Sequence, residues 1–468
     1  MNEYVDSGIQ LAYLGAASLF ILGLKQLGSP ATARRGNLLA ALGMFVAVVA
    51  TLLYQEVLNY QTILIGIAIG AGIGAIAAQK VEMTAMPQMV GLFNGLGGAA
   101  SALVASGEFW QLANSSELIS PDTNFTILLS IFIGGVTFSG SLIAFSKLQR
   151  LLPGAPLTFP LQQPFNLTLL GVFLASSAYL LFFEPGNLTA FAAIAAVSLV
   201  LGIMFVLPIG GGDMPVVISL LNSFSGLAAS AAGFVIKNNM LIIAGALVGA
   251  SGIILTVIMC KAMNRSLTSV LFGAFGASEG TAAATSSTQK EKTVRSLDAE
   301  EAAMMLGYAR SVVIVPGYGM AVAQAQHSVQ ELVDLLEKKG VEVKYAIHPV
   351  AGRMPGHMNV LLAEANVPYP QLYDMEDINP QFGQTDVALV IGANDVVNPA
   401  AREQQDSPIY GMPILNVDTA KNTIVIKRSL STGFAGIDND LFYRNKTFMM
   451  FGSAKDMVTQ LVNEVKQL

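Results

Sequence analysis

The chain has 468 residues, of which 53% are hydrophobic and only 12% are charged, a balance far more apolar than that of ordinary soluble domains. Residues 1–265 hold nine acidic and nine basic side chains, so the whole net charge of −6 lies beyond them, which argues against nucleic acid as a partner. The single cysteine, Cys260, excludes an intrachain disulfide and a multi-cysteine metal site, and no metal site is predicted.

Nine apolar segments in the first half approach the length of about 20 residues that a membrane-spanning helix needs. The chain has no basic residue before its first apolar run, so this run is interpreted as a retained span and not as a cleaved signal peptide. The predicted spans are approximately 8–27, 36–54, 61–79, 86–106, 125–146, 167–183, 188–207, 216–236 and 240–262.

The charges of the connecting loops predict the orientation of these spans. If the N-terminus is outside, the inner loops hold the other lysines and arginines of this half, and the outer loops hold only Lys237, as the positive-inside rule requires. An odd number of spans then places the C-terminal part in the cytoplasm. We therefore predict a multi-pass protein in membrane lipid, with residues 1–265 as a transmembrane domain.

Several polar residues fall within the predicted spans, where an unpaired polar group is costly. Asn222 and Ser225 share a helix face, and they could line a hydrated path or hydrogen-bond to neighbouring helices. The second role is favoured for the serines. Asn94 and Asn222 remain open to both roles, because an amide has four hydrogen-bonding sites to satisfy. All three histidines lie in the C-terminal part, so the spans hold no group that titrates near neutral pH unperturbed.

A break between two spans, at residues 208–215, contains Asp213 and Pro215. Asp213 is predicted to cap the next helix, which is compatible with a second role as a proton or contact switch that faces the soluble domain. Cys260, at the end of the last span, is interpreted as a small buried side chain and not as a catalytic thiol.

The chain changes character after the spans. Residues 277–292 are small and polar, which predicts a flexible linker, and the whole connection is placed at 266–292. Residues 293–468 alternate strands and helices, as in a soluble, Rossmann-like, doubly wound α/β domain with a parallel sheet. The predicted strands are 311–315, 341–347, 386–391, 413–417, 422–427 and 447–451, and the predicted helices lie near 298–309, 320–339, 356–366 and 453–467.

The first of these strands leads into Gly317-x-Gly319-x-x-Val322. This pattern departs from the GxGxxG fingerprint at its third position, but it lies between a strand and a helix, where a backbone must approach a pyrophosphate. A purely structural tight turn is the weaker alternative. The next strand ends at His348 without the carboxylate that NAD sites use for the ribose 2′-hydroxyl, and this absence favours NADP.

Four later segments have the composition of ligand loops. A 2′-phosphate suits two cations and a hydroxyl at a strand end, although a solvated basic patch is a common alternative. The segment with two cations and a hydroxyl is Lys427-Arg428-Ser429. Gly352-Arg353-Met354-Pro355-Gly356 could bring an arginine to a pyrophosphate, Gly392-Ala393-Asn394-Asp395 follows an apolar strand, and Gly433-Phe434-Ala435-Gly436 could form a hinged lid. Each of these three segments could also be simple turn chemistry.

Taken together, these motifs resemble one family over essentially the full chain, the β subunits of proton-translocating NAD(P) transhydrogenases. The most specific segments are PGYGMAVAQAQ (316–326), GRMPGHMNVLLAEA (352–365), GANDVVNPAA (392–401), KRS (427–429), GGGDMPVVISLLNSFSG (210–226) and CKAMNRS (260–266).

The resemblance implies that residues 293–468 bind NADP(H), while an α subunit of one or two chains binds NAD(H). Hydride would pass from NADH to NADP⁺ in a Re/Si-specific reaction coupled to inward proton translocation. It also implies a dimer of αβ units in a bacterial cytoplasmic membrane, with a thylakoid membrane as the alternative, and a cytoplasmic C-terminal domain.

The resemblance also implies roles for individual residues. The dinucleotide would lie on Gly317, Tyr318, Gly319, Met320, Ala321, Val322, Gly352, Arg353, Met354, Pro355, Gly392, Ala393 and Asn394, with its 2′-phosphate on Lys427, Arg428 and Ser429. Asp395 would be the coupling carboxylate, and Gly433, Phe434, Ala435 and Gly436 would form the lid. Asn94, Ser141 and Asn222 would line the proton path, with Asp213 at its inner mouth.

Two positions depart from the family pattern. Asn94 stands where many relatives have a histidine, and an amide cannot carry a proton as imidazole does, so the protonated residue could belong to the partner. Phe434 replaces the tyrosine of the lid and removes a hydroxyl. Two other functions stay open from the residues alone: a transporter with a nucleotide-sensing domain, and an NADP-dependent reductase tethered to lipid.

Overall fold

The structure is a computed structural model. It describes residues 3–54, 60–81, 85–115, 119–153, 156–210, 213–276, 293–354, 356–407, 409–433 and 435–468. The chain divides into two compact units, one of Met1–Val257 with Val270–Gly276 and one of Ile258–Ser269 with Ala277–Leu468. The predicted flexible linker, 277–292, lies outside the described residues.

Each of the nine predicted spans corresponds to a long helix. Within the described residues, nine helices are long and apolar enough to cross a membrane. They are α1 (Glu3–Leu27), α2 (Pro30–Tyr54), α3 (Tyr60–Lys80), α4 (Met86–Asn114), α5 (Pro121–Leu148), α6 (Gln162–Phe182), α7 (Leu188–Val206), α8 (Met214–Val235) and α9 (Asn239–Ala262).

Helices α5 and α8 form the centre of this bundle, since 67% of the most apolar window of each is buried, against 28% or less in the other seven. Helix α5 packs against α4, α7 and α8. Glycine permits one of the closest approaches: a Cβ placed on Gly226 of α8 would lie 2.7 Å from the carbonyl oxygen of Gly245 on α9. Small residues allow helix backbones to pack closely, and this packing stabilises helix contacts in lipid, where the hydrophobic effect does not act between helices.

The second unit contains one parallel sheet with helices around it. Its strands are β1 (Arg295–Ser296), β2 (Ser311–Pro316), β3 (Glu342–Ile347), β4 (Leu372–Asp374), β5 (Val387–Ile391), β6 (Asn422–Lys427) and β7 (Thr447–Phe451), in the spatial order β1-β7-β6-β5-β2-β3-β4. The remaining helices of the chain are α10 (Leu267–Gly276), α11 (Ala299–Gly307), α12 (Tyr318–Val322), α13 (Gln326–Lys338), α14 (His357–Glu364), α15 (Met375–Ile378), α16 (Ala400–Glu403) and α17 (Ala454–Gln467).

The strand order places a topological switch point at the centre of this sheet. Strand β2 pairs with β3 on one side and with β5 on the other, and every pairing is parallel. From β2 the chain builds outwards first through β3 and β4, then through β5, β6 and β7. Open α/β sheets bind ligands outside the carboxyl ends of the strands at such a point, where the loops after β2 and β5 meet.

The predicted elements differ from the structure in several places. The strand predicted at 413–417 is wrong: Leu415 N–H donates to the Val396 carbonyl at 2.9 Å, outside any strand pairing, and a short 3₁₀ turn follows at Val417–Thr419. The helix predicted at 320–339 is two helices, since Gln324 has a φ of +50° between α12 and α13. Strands β1 and β4, of two and three residues, were not predicted. Helix α10 occupies part of the predicted connection.

Candidate functional site

The turn after β2 is joined to the loop after β5 by backbone contacts that only glycine permits. Gly317 N–H donates to the Ile391 carbonyl, and Gly319 N–H to the Gly392 carbonyl, both at 2.9 Å. A Cβ on Gly319 would lie 2.7 Å from Gly392 Cα, and Gly392 has a φ of +66°, which disfavours other residues. This arrangement packs the two loops backbone to backbone at the switch point of the sheet.

A second loop of the predicted site lies beside this turn. The guanidinium carbon of Arg353 is 4.4 Å from the centre of the Tyr318 ring, a cation–π distance. His357 supports the loop, because its Nδ1 accepts a hydrogen bond from Arg353 N–H at 3.1 Å. Gly352 has a φ of +106°, and a side chain there would collide with the His357 ring. The structure thus brings Arg353 to Tyr318 of the first turn, with Gly352 and Met354 beside it in the chain, whereas Pro355 lies outside the described residues.

The predicted lid rests on the predicted coupling carboxylate. Ala435 N–H donates to Asp395 Oδ2 at 2.9 Å, and a Cβ on Gly433 would collide with Asp395. The buried Asn439 holds the other end of the same region, since its amide nitrogen donates to both Asn394 oxygens at 3.0 Å. Asn439 was not predicted, because the sequence gives it no motif beyond an ordinary turn asparagine. Phe434 lies outside the described residues.

The predicted phosphate residues lie at the carboxyl end of β6. Lys427 is half-buried; its ammonium donates to the Ser431 carbonyl and lies 5.0 Å from the centre of the Phe442 ring. Burial lowers the pKa of Lys427, and the negative charges of Asp395 and Asp438 oppose that shift. Arg428 and Ser429 are exposed. Two cations and a hydroxyl are therefore available at one strand end.

His348 directly follows β3, where an NAD site would have an acidic residue, and its ring makes structural hydrogen bonds. Val350 N–H donates to its Nδ1 at 3.2 Å, so Nε2 carries the proton and donates to the Pro413 carbonyl at 2.8 Å. Burial lowers the pKa of His348 to about 4, and the bond to Pro413 opposes this shift only in part. His348 is therefore neutral at pH 7 and joins β3 to the segment that had been predicted as a strand.

The low pKa of His348 predicts a pH-dependent stability. Between about pH 6.5 and pH 4 the unfolded chain binds a proton that the folded chain does not, so the free energy of unfolding falls on acidification, by up to about 3 kcal/mol. His348→Gln keeps a donor for the Pro413 carbonyl and does not titrate. We expect calorimetric unfolding of the full chain to depend less on pH in this variant. An unchanged pH dependence would contradict the assignment.

In the membrane unit, three polar side chains from three helices meet. Asn94 of α4 donates from Nδ2 to Ser141 Oγ of α5 at 3.1 Å, and Ser225 of α8 donates to Asn94 Oδ1 at 2.8 Å. Asn222 lies one turn from Ser225 and is half-buried, but no hydrogen bond of its side chain is found among the described residues. The structure therefore brings Asn94 and Ser141 together, and Ser225 joins them through an interhelical hydrogen bond, the role favoured for the serines.

The break before α8 is held by a residue that was not predicted. Lys147, in the last turn of α5 and buried, donates from Nζ to the carbonyls of Leu207 and Ile209 at 2.5 and 2.7 Å. Asp213 is buried at the capping position of α8, but its side chain makes no capping hydrogen bond. Its φ and ψ of −83° and −3° lie outside the extended region that capping side chains prefer, so the capping prediction is right in position and wrong in mechanism.

These features define a class of protein: a multi-pass membrane protein with a parallel α/β domain that has a glycine-rich turn at its switch point. The family model of the NAD(P) transhydrogenase beta subunit matches residues 9–464. The NAD(P) transhydrogenase subunit beta of Rhodospirillum rubrum is 51% identical over 455 residues, which cover 96% of this chain and 97% of that protein. The subunit of a designated strain of the same species matches equally. The chain belongs to the NAD(P) transhydrogenase β-subunit family, and membership implies an α-subunit partner and a role in transhydrogenation.

Proposed function

We propose that this chain binds NADP(H) in residues 293–468 and accepts hydride from NADH on the α subunit, with inward proton movement through residues 1–265. Residues 266–292 would connect the two parts. The observation that carries this proposal is the position of Lys427, Arg428 and Ser429 at the carboxyl end of β6, in the same sheet edge as the glycine turn at the switch point.

The residues at this edge fit a phosphorylated dinucleotide. The glycines after β2 and β5 let these two loops pack backbone to backbone at the switch point, which is where a pyrophosphate would approach the backbone N–H groups. Arg353 lies beside the turn over Tyr318, within the loop that would contact the pyrophosphate. The cations after β6 match a 2′-phosphate dianion in charge and in hydrogen-bonding capacity. No carboxylate ends β3, where an NAD site would have one.

The bound nicotinamide supplies the hydride chemistry, so this chain needs to contribute position and not a side-chain acid or base. In the proposal, the lid of residues 433–436 restricts exchange of the nucleotide while it contacts Asp395. A change in the protonation of the chain would alter the relative free energies of the lid states. Such a difference is what coupling requires, since two processes are linked only when each changes the equilibrium of the other.

The cluster of Asn94, Ser141 and Ser225 is the proposed centre of the proton path, and Asn222 and Asp213 are proposed to line it further towards the inner side. None of the three clustered side chains ionises near neutral pH, so they would pass protons through water or hydroxyl groups. The proposal leaves the ionisable group to another residue, which includes one supplied by the α subunit. It further places two αβ units in a bacterial cytoplasmic membrane, with the nucleotide domain in the cytoplasm and a thylakoid membrane as the alternative.

The proposed function is tested with the purified chain assembled with its α subunit in sealed vesicles. NADH should reduce NADP⁺, and in vesicles with the nucleotide domain outside this forward reaction should move protons from the lumen to the medium, whereas the reverse reaction should take them from the medium into the lumen. A sensor would bind NADP(H) without hydride transfer. A tethered reductase would oxidise NADPH with an organic substrate and move no protons, and either result would refute the proposal.

A further inference from the structure

Gln88, in the first turn of α4, is a buried polar residue that the proposed function does not use. Only 7% of its surface is exposed. Its Nε2 donates to the carbonyl of Leu148, the last residue of α5, at 3.4 Å. Its Oε1 is completely buried and has no hydrogen-bond partner among the described residues. The Gln88 amide is thus held through Nε2, while its Oε1 is a buried acceptor without a described partner.

A buried acceptor without a partner costs about 1–3 kcal/mol, and within a membrane no bulk water is available to reduce this cost. No described protein group offsets this cost at Gln88 Oε1. A bound water molecule would remove the penalty, because a buried water typically satisfies polar groups that the protein leaves unpaired.

The surroundings of Gln88 favour a water on the path to Asn94. Gln88 and Asn94 lie on the same helix, six residues and therefore roughly 9 Å apart along its axis. Gly91 lies between them, and a Cβ placed there would meet one described atom within 4 Å, Ile218 Cδ1 at 3.8 Å. The missing side chain leaves room for about one atom of Cβ size beside Ile218 of α8; α4 and α8 are the helices that supply Asn94 and Ser225.

The other end of Gln88 connects to the inner break. Its partner Leu148 follows Lys147, whose ammonium holds the carbonyls of Leu207 and Ile209. Ser141 is six residues before Lys147 on α5, the same separation as between Gln88 and Asn94 on α4. Gln88 therefore lies at the level of the break, about one and a half turns from the polar cluster.

We propose that Gln88 Oε1 binds a water molecule beside Gly91, and that this water extends the Asn94–Ser141–Ser225 cluster towards the α7–α8 break. The inference rests on the proposed proton path and adds a site and a ligand to it. The water accepts and passes a proton through its own hydrogen bonds, and Gln88 acts as a positioning residue that does not ionise.

The test uses Gln88→Met, which keeps the length of the side chain and removes its amide, in the α-assembled protein in vesicles. Proton uptake coupled to hydride transfer is expected to slow about tenfold, the factor that corresponds to one lost hydrogen-bonded partner. A single turnover between nucleotides already bound should keep its rate, and the solvent deuterium isotope effect on the coupled rate should increase. Gln88→Glu, which keeps acceptor oxygens, should retain most of the coupled rate.

Gln162→Met provides a matched control. Gln162 is also buried near the start of a helix, α6, and neither atom of its amide has a hydrogen-bond partner among the described residues, but α6 packs mainly on α7 and does not carry the cluster. Equal slowing in the two Met variants, or normal coupling in Gln88→Met, overturns the water site. If Gln88→Met does not assemble, loss of coupling in an assembled Gln88→Glu overturns it. Failure of the unaltered protein to move protons refutes the proposed function instead.

Discussion

Replacing Lys427 and Arg428 together by alanine is expected to weaken NADPH binding by roughly a hundredfold or more and to leave the weak binding of NADH unchanged. Each cation would lose a charge-assisted hydrogen bond to the 2′-phosphate, worth about 1.5–3 kcal/mol or roughly a tenfold to hundredfold change in Kd. NADH has no such phosphate. Calorimetric titration of the full chain with both nucleotides measures the difference, and the single variants apportion it between the two residues.

Lys421→Ala is the matched control for this experiment. Lys421 precedes the same strand, β6, at its opposite end, and its ammonium is 2.6 Å from Asp386 Oδ1. Hydrogen bonding to Lys421 contributes most to the lowered pKa of Asp386, so the control removes a cation that has a structural partner. It removes one positive charge, as each single variant of Lys427 or Arg428 does, and should leave both affinities unaltered. Equal losses for NADPH and NADH in the double variant would contradict a 2′-phosphate site.

The membrane helices and the central strands of the sheet could be predicted because each kind of element leaves a recognisable apolar pattern in the sequence. A helix in lipid must satisfy its own backbone, so each of the nine long helices in the described part of the chain corresponds to a long, mainly apolar run. The central strands β2, β5 and β6 are buried on both faces and form short apolar runs that turn residues terminate. Strands β1 and β4 are too short to leave such a pattern, and nothing at Gln324 resembles a helix terminator.

The site was predictable as a set of loops but not as a set of contacts. Glycines at strand ends predict close approach of a ligand to the backbone, and cations at strand ends predict an anionic ligand. The parallel topology brings those strand ends to one edge of the sheet. The pairing of Arg353 with Tyr318, its support by His357, and the attachment of Asn439 to Asn394 depend on side-chain directions that spacing does not specify. The same reason explains why Ser225, and not Asn222, bonds to Asn94, although both residues share one helical face.

Removing the charge of Asp395 is expected to uncouple the protein. In Asp395→Asn the amide oxygen can still accept the hydrogen bond from Ala435 N–H that Asp395 Oδ2 accepts at 2.9 Å, so the lid keeps its contact. The variant loses the charge that interacts with Lys427 and the ability to change protonation. We expect coupled turnover to fall by up to about a hundredfold, the upper range of a typical coupling free energy, and NADPH to bind more tightly because a negative charge near its phosphates is absent.

Asp438→Asn separates the two effects of that substitution. Asp438 also carries a charge that acts on Lys427, but its Oδ1 accepts from the Tyr443 hydroxyl at 3.1 Å, outside the contact between Asp395 and the lid. If electrostatics at Lys427 were the whole cause, both variants would bind NADPH more tightly and both would lose coupling. We expect only the affinity change in Asp438→Asn, because in the proposed function coupling acts through the contact between Asp395 and the lid. Normal proton-coupled turnover in assembled Asp395→Asn vesicles would remove Asp395 from the coupling mechanism and leave it as an anchor of the lid.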